Sequence, residues 1–345
     1  MIFVTEYSVR ECTLELASKN RILILIHANP DGDCVGSGLA LAMMLRKVGK
    51  IVKLVCPHSL PTRLEFICEN VPGDVLYFNR DVEKVFKPDC IISVDIAAPE
   101  LLGKLQNCYS EIIDICVDHH IVNTLTAKKS LIKPDVSSCG EMVFEIGREL
   151  SKFYKENLLT KQVCNMLYTA IALDTGSFMY GNVTANTFLY ASLLKKAGAN
   201  TEDISRLLFG TKTFSQYKLT GLAISKTKLL CNNKIACCLI LNSEMKNCGV
   251  KSEDTDCLTQ MFREIKGVEV SVFIREYVDS TNNEHYIKAS LRSNTDINVA
   301  KVCEFFGGGG HTKAAGCTIK GKTIEEAENV IISKIVDLYP EMCKN

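Results

Sequence analysis

The sequence predicts an α/β protein. A parallel-sheet N-terminal domain with helices on both faces is followed by a helical connector and a smaller C-terminal α+β domain. Three observations carry this. Short apolar runs rich in β-branched residues alternate with helix-length apolar patterns through the first half. That alternation stops near residue 185, where helical signals punctuated by Gly198, Gly210 and Gly221 take over. Strand-rich segments return after residue 227. At 345 residues the chain suits two domains better than one. We divide it into a domain at 1–184, a connector at 185–226 and a second domain at 227–345.

Residues 5–19 are expected as the first helix, with Val9, Cys12, Leu14 and Leu16 on its apolar side. Arg21 to Ile26 reads as a buried parallel strand, because its apolar run has no polar alternation. Ser37 to Lys47 is a helix. Ile51–Val55, Val75–Phe78, Cys90–Val94 and Ile112–Val117 are further short strands, and Glu141–Phe153 and Lys161–Leu173 are helices. Strands over the same sheet separated by helices imply a layer of helix on each face. In the last third, Lys234–Leu241, Val268–Glu276 and Tyr286–Arg292 read as strands and 298–306 and 324–338 as helices. The last is started by a capping box of Thr323 with Glu326.

Composition narrows the function classes. The 40 basic and 40 acidic residues cancel, and no run of five like charges occurs. Long-duplex binders usually carry a basic excess, so short substrates fit better. The 17 cysteines are scattered, include the adjacent pair Cys237–Cys238 and form no C-x-x-C. Neither a zinc motif nor a disulfide framework is expected. Most should act as small buried hydrophobes in a reducing, cytoplasmic setting. The first 20 residues lack a signal-peptide core and no apolar stretch approaches ~18 residues, so no membrane partner is expected.

The chemistry-bearing residues fall at element ends. The first strand runs into His27-Ala-Asn-Pro-Asp31-Gly-Asp33, the Cys90–Val94 strand into Asp95, and the Ile112–Val117 strand into Asp118-His119-His120. Asp174 follows an apolar helix. Ligands of open parallel sheets bind outside the carboxyl ends of the strands. Four carboxylates on one rim would repel one another unless cations neutralise them. Six donors, His27, Asp31, Asp33, Asp95, His119 and Asp174, are many for one ion and suit two ions sharing a carboxylate. Oxygen and imidazole donors favour Mn²⁺ or Mg²⁺. Each motif also has a plainer reading: Asp31 and Asp33 as caps of the next helix, Asp95 and Asp174 as turn residues. Their joint placement at element ends favours the metal reading.

Asp118-His119-His120 resembles the motif that names the DHH phosphoesterase family. His27-x-x-Pro30-Asp31-Gly32-Asp33-x-x-Gly36-Ser37, Asp95 and Asp174-Thr-Gly resemble its other motifs. Gly307-Gly-Gly-Gly310-His311-x-x-Ala314-Ala315-Gly316, with Arg292-Ser293 upstream, is similar to the signature of the associated DHHA1 domain. The resemblance spans almost the whole chain. Length and domain make-up are most similar to bacterial nanoRNases that also act as pAp phosphatases.

The resemblance implies two Mn²⁺ ions, with Mg²⁺ as the alternative. His27, Asp31 and Asp95 would hold one ion, and Asp33, Asp95, His119 and Asp174 the other, with Asp95 bridging. His120 would lie near the scissile phosphate as a catalytic residue with Asp95, and Asp118 would orient its neighbours. The sequence departs from the pattern at Cys34, where alanine is frequent, and at Leu173, where threonine or serine often precedes the aspartate. Cys34 leaves oxidation sensitivity open.

In the second domain the glycine run lets backbone approach a ligand, and its N–H groups could form an anion-binding nest. Arg292, Ser293, Gly308, Gly309, Gly310 and His311 are the expected substrate contacts, with Arg292 suited to phosphate. Ser137-Ser138-Cys139-Gly140-Glu141 reads equally as a substrate segment or a helix cap. The expected activity is two-metal hydrolysis of short oligoribonucleotides, pAp or both. The alternatives are a cyclic- or linear-dinucleotide phosphodiesterase and, from another class, a nucleic-acid-binding module without catalysis. The expected partner is a nucleotide or short single-stranded RNA; a homodimer is left open.

Overall fold

The computed structural model describes residues 7–77, 86–250, 255–278 and 284–344. The chain forms two compact units that divide between Thr211 and Lys212. The first opens with α1 (Val9–Ser18), capped by Ser8 and Glu11. Positions 5 and 6, expected in this helix, lie outside the described residues. Cys12 and Leu16 of α1 are buried, whereas Leu14, expected on the apolar side, is 46% exposed. Then come β1 (Arg21–Leu25), α2 (Gly32–Lys47), β2 (Ile51–Val55), β3 (Leu76–Tyr77), β4 (Cys90–Val94), α3 (Gln106–Tyr109), β5 (Ile115–Asp118) and β6 (Lys129–Ile132). Four helices complete the unit: α4 (Cys139–Tyr154), α5 (Lys161–Asp174), α6 (Ala185–Lys196) and α7 (Thr201–Ser205). Phe78, expected at the end of β3, lies outside the described residues.

The six strands are all parallel, in the order β3-β2-β1-β4-β5-β6. Winding therefore reverses between β1 and β4. In a doubly wound sheet that reversal leaves a crevice at the carboxyl ends of the two central strands. Alternation of side chains sends Ile22 and Ile24 into a core shared with α2, α4 and α5. Leu23 and Leu25 face the other layer, where Leu102, Leu105 and Tyr109 cover them. That second layer is built from a 3₁₀ helix at Pro99–Leu105 and the short α3.

Helices α2 and α5 approach closely. A Cβ at Gly36 would lie 2.5 Å from the carbonyl oxygen of Met166, so the contact admits only glycine. Helix α2 starts five residues before the expected Ser37, because Asp31 caps it. Strand β5 begins at Ile115 rather than Ile112, which is half exposed, and runs through Asp118. Within the 185–226 stretch, Tyr190, Leu194, Ala199 and Ile204 join the first core. Leu219 and Ala223 belong to a core of the second unit.

The second unit begins with α8 (Phe214–Lys226) and β7 (Lys228–Leu230). It continues through β8 (Ile235–Ile240), α9 (Asn242–Cys248), α10 (Asp256–Arg263), β9 (Val270–Val278), β10 (His285–Ser293), α11 (Val299–Glu304), β11 (Gly309–His311), β12 (Ala314–Ile319) and α12 (Ile324–Leu338). Its sheet has the order β11-β12-β10-β9-β8-β7 and is mixed: β8 and β9 are parallel, the other pairs antiparallel. One face packs on α11 and α12 through Val272, Leu291, Ile331 and Ile335, the other on α8 to α10 through Phe273, Phe262 and Leu258. The Thr323–Glu326 capping box forms as expected. The cysteines hold one departure from expectation: Cys231 and Cys343 are joined in a disulfide, and 14 other described cysteines are free. No helix among the described residues is long and apolar enough to cross a membrane.

Candidate metal centre

Three strand ends and one helix end bring the six expected donors together. β1 delivers His27 and, one turn on, Asp31 and Asp33 at the start of α2. β4 delivers Asp95, β5 delivers Asp118 to His120, and α5 ends on Asp174. Asp95 is 3% exposed and has φ 61. A non-glycine residue in the left-handed region is strained, and such strain is commonest at functional sites. The turn after Asp174 is left-handed too, with Gly176, Ser177 and Phe178 at φ 53, 59 and 66.

The imidazoles sit among the carboxylates at one characteristic spacing. His27 Nε2 is 3.5 Å from Asp31 Oδ2 and 3.6 Å from Asp95 Oδ2. His119 Nε2 is 3.6 Å from Asp33 Oδ2, 3.7 Å from Asp95 Oδ1 and 3.6 Å from Asp174 Oδ2. These gaps exceed a hydrogen bond, which ends near ~3.2 Å. They lie just beyond the edges, roughly 3.0–3.4 Å, of a coordination shell with bonds near 2.1 Å. Asp95 turns one oxygen to each imidazole, so it stands between two donor groups.

Electrostatics agree. Burial, then the charges of Asp95 and Asp174, push the carboxyl of Asp33 well above its usual range. Burial, then Asp95, raise Asp174 to about 8. Carboxylates crowded like this resist ionising together unless a positive charge joins them. The donor set therefore fits divalent cations.

Around this set lie residues that sequence reading missed or left open. Asp33 Oδ2 accepts from the backbone N–H of Cys139 at 2.7 Å, and its Oδ1 from that of Gly140 at 2.9 Å and from Ser37 Oγ at 3.0 Å. Ser138, the N-cap residue of α4, makes no side-chain cap bond. Asp33 thus satisfies the open amides of a helix that begins 106 residues later, and the segment 137–141 is a helix start that grips a donor. Asp31 does both things weighed for it: Oδ1 caps α2 through the N–H groups of Asp33 and Cys34, and Oδ2 faces His27. Asp118 is fully buried. Its Oδ1 meets His120 Nδ1 at 2.8 Å and its Oδ2 accepts from Asn123 Nδ2 at 2.6 Å. It therefore orients His120, whose pKa it raises to about 9 by hydrogen bond. Asn182 Nδ2 ties the Asp174 carbonyl to that of Ser137, at 3.1 and 3.0 Å. Asn123 and Asn182 carry no sequence signal, because a lone asparagine in a loop looks like any turn residue.

The second expected group lies within the other unit. Arg292 is in register with Ala314 on one side and Ser271 on the other. Ser293 is buried, and its hydroxyl donates to the Thr295 carbonyl. The glycine run differs from the expected nest. The N–H groups of Gly307 and Gly308 are spent on the carbonyls of Glu304 and Cys303, closing the end of α11 with Gly307 at φ 71. Gly309, Gly310 and His311 form the edge strand β11, paired with Gly316, Ala315 and Ala314.

Comparison with known proteins places these features in a family setting. Residues 21–171 match the DHH family, N-terminal domain, and residues 240–337 the DHHA1 domain. The bifunctional oligoribonuclease and PAP phosphatase NrnA of Thermus thermophilus is 26% identical over 320 residues, 92% of this chain and 90% of that protein. The protein of the same description from Bacillus subtilis is 24% identical, covering 90% of this chain and 92% of its own. The cyclic-di-AMP phosphodiesterase GdpP of Geobacillus thermodenitrificans is 24% identical over 97% of this chain and 50% of its own length. Among solved structures, an exopolyphosphatase-related protein from Bacteroides fragilis superposes with a TM-score of 0.87 at 25% identity, covering 99% of both chains.

Proposed function

This chain belongs to the DHH/DHHA1 phosphoesterases, and from that premise we propose that it hydrolyses short oligoribonucleotides, 3′-phosphoadenosine 5′-phosphate or both, using two Mn²⁺ ions. The observation that carries the reading is the spacing of His27 and His119 from four carboxylates, with Asp95 facing both. Similarity to two proteins named for oligoribonuclease and PAP phosphatase activity supports the substrate class.

His27, Asp31 and Asp95 would hold one cation, and Asp33, Asp95, His119 and Asp174 the other. Cations bound there would supply an acidified water and neutralise the charge of a phosphate. The chain's own residues do the rest. The α4 amides hold Asp33 in one orientation, so its carboxylate needs no rearrangement when it is used. His120, oriented by Asp118, which also raises its pKa, faces the same space and would stabilise negative charge growing on a phosphoryl oxygen. Arg292, Ser293, Gly308, Gly309, Gly310 and His311 are the residues we assign to substrate binding in the second unit. The expected setting is the cytoplasm.

The test is a substrate panel of pAp, di- to pentaribonucleotides, pApA, pGpG and cyclic di-AMP, with Mn²⁺ or Mg²⁺. Mononucleotides from the oligoribonucleotides, or AMP from pAp, are expected with Mn²⁺ and none after chelation. Preference for cyclic di-AMP would favour the second reading, which rests on the likeness to the Geobacillus enzyme. Inertness toward the whole panel with Mn²⁺ would leave only a binding role. Asp95→Asn should lose activity, and full activity in that variant would remove the bridging assignment. Sedimentation velocity on the same sample separates monomer from homodimer.

A further inference from the structure

Two cysteine sulfurs reach into the donor cluster, and the two are not equivalent. Cys34 Sγ belongs to a group with His27, Asp31 and Asp95, whose ligand atoms all lie within 4.8 Å of one another. That group offers four donors of three kinds: an imidazole nitrogen, two carboxylate oxygens and a sulfur. Cys139 shares a group only with Asp33 and Asp95, and its sulfur contacts Asp95 Oδ1 and the Val117 carbonyl, both at 3.7 Å. Its group lacks an imidazole. The group of His119, Asp33 and Asp174 contains nitrogen and oxygen alone.

We propose that Cys34 is a fourth ligand, as a thiolate, and that it fits the His27–Asp31–Asp95 end of the centre to a thiophilic divalent cation such as Zn²⁺. The other end keeps a preference for a hard cation. The proposal rests on the metal-centre reading above and departs from it at one end only, where a thiophilic ion takes the place of the Mn²⁺ assigned there.

Several facts support it. Cys34 is fully buried in the first turn of α2, so its sulfur is not a surface accident. The sulfur lies beside Asp31, accepting from its N–H at 3.4 Å and facing its carbonyl at 3.6 Å. The loop that positions Asp31 therefore positions the thiol with it. His27 is nine-tenths buried, and its Nε2, the nitrogen that faces Asp31 and Asp95, makes contacts too long for hydrogen bonds. An imidazole left so poorly paired in a protein interior calls for a ligand. Bringing all four donors to bonding distance needs a movement of roughly 1 Å at most, given sulfur bonds near 2.3 Å and nitrogen and oxygen bonds near 2.1 Å. Four mixed donors around one point suit a tetrahedral ion, and thiolate selects softer metals over Mn²⁺ and Mg²⁺. On binding, the thiol transfers its proton to solvent as the sulfur–metal bond forms.

Cobalt(II) is the probe, because sulfur coordination gives a near-ultraviolet charge-transfer band that nitrogen and oxygen donors do not. Reduced, metal-free protein is titrated with Co²⁺ under anaerobic conditions. The wild type is expected to develop the band with the first equivalent. Cys34→Ala and Cys34→Ser should lose it while still binding Co²⁺, and Cys139→Ala should keep it. Competition titrations should show Zn²⁺ affinity falling on the order of 100-fold in Cys34→Ala, as for loss of a strong metal contact, with Mn²⁺ affinity little changed. Circular dichroism checks that each variant is folded. A band that survives in both Cys34 variants, or that vanishes only in Cys139→Ala, overturns the proposal. Co²⁺ bound without any charge-transfer band overturns the thiolate while leaving the phosphoesterase reading standing. Failure to bind Co²⁺, Zn²⁺ or Mn²⁺ at all sinks both.

Discussion

Asp118 makes no expected metal contact, and its charge acts on a neighbour. Both its oxygens are engaged, one by His120 and one by Asn123, and it is fully buried. Replacing it with asparagine keeps the shape but removes the charge that orients the ring and raises its pKa. Turnover in Asp118→Asn is expected to fall about 10- to 100-fold, the usual cost of losing such a supporting contact. Mn²⁺ affinity should change far less, and steady-state kinetics beside a binding titration measures the split. The crowded carboxylates give a second prediction at this scale. Burial, then Asp95, raise Asp174 from 3.8 to about 8. Between those values the folded, cation-free protein holds more protons than the unfolded chain. The stability this contributes is full below pH 3.8 and is lost as pH rises through about 8. Chelated protein should therefore melt at a lower temperature at about pH 8.5 than at about pH 5, and saturating Mn²⁺ should shrink or invert the difference. A scan of melting temperature against pH, with and without Mn²⁺, decides it.

Among the elements, α2 and α5 matter most, because Asp33 stands in the first turn of one and Asp174 ends the other. Their separation is set by Gly36 against the Met166 carbonyl. Valine at Gly36 must push backbone aside, and about 2 kcal/mol of destabilisation is expected with weakened Mn²⁺ binding. Gly221 in α8 has open space around its Cβ position, so Gly221→Ala should instead gain about 0.5–1 kcal/mol. Urea denaturation of both variants is the check. Legibility varied for reasons of the same kind. β1 and β4 were plain, because a strand buried on both faces is an unbroken apolar run. β6, edge-placed and polar in Lys129-Ser130, and β11, which is two glycines and a histidine, carry no such run. Pairing with a neighbour makes them strands. The early start of α2 was hidden by Pro30-Asp31-Gly32, which resembles a turn unless Asp31 is seen to cap the helix beyond it.

At the scale of the molecule, all six expected metal donors lie in the first unit, which carries its own core of sheet and helices. The expected substrate contacts lie in the second. A fragment of residues 1–211 should therefore fold and bind Mn²⁺ with the stoichiometry of the full chain. It should hydrolyse the substrates of the full chain with a KM raised about tenfold or more, since a lost charged contact costs about 1.5–3 kcal/mol. Calorimetric titration and initial rates on fragment and full chain make the comparison. Unchanged KM in the fragment would deny the second unit its assigned part.

The sequence by itself determined which residues could be donors and that they fall at element ends, because strand periodicity and short polar motifs are local properties. It also determined the order of the two domains. Only the tertiary structure decided that winding reverses between β1 and β4, which draws four separate segments to one crevice. It alone showed that Asp33 closes the amides of a helix 106 residues away, that two lone asparagines brace the site, and that the sulfur of Cys34 lies within 4.8 Å of a His27 ring nitrogen. Those facts depend on distances between residues remote in the chain, and packing fixes such distances where local preference does not.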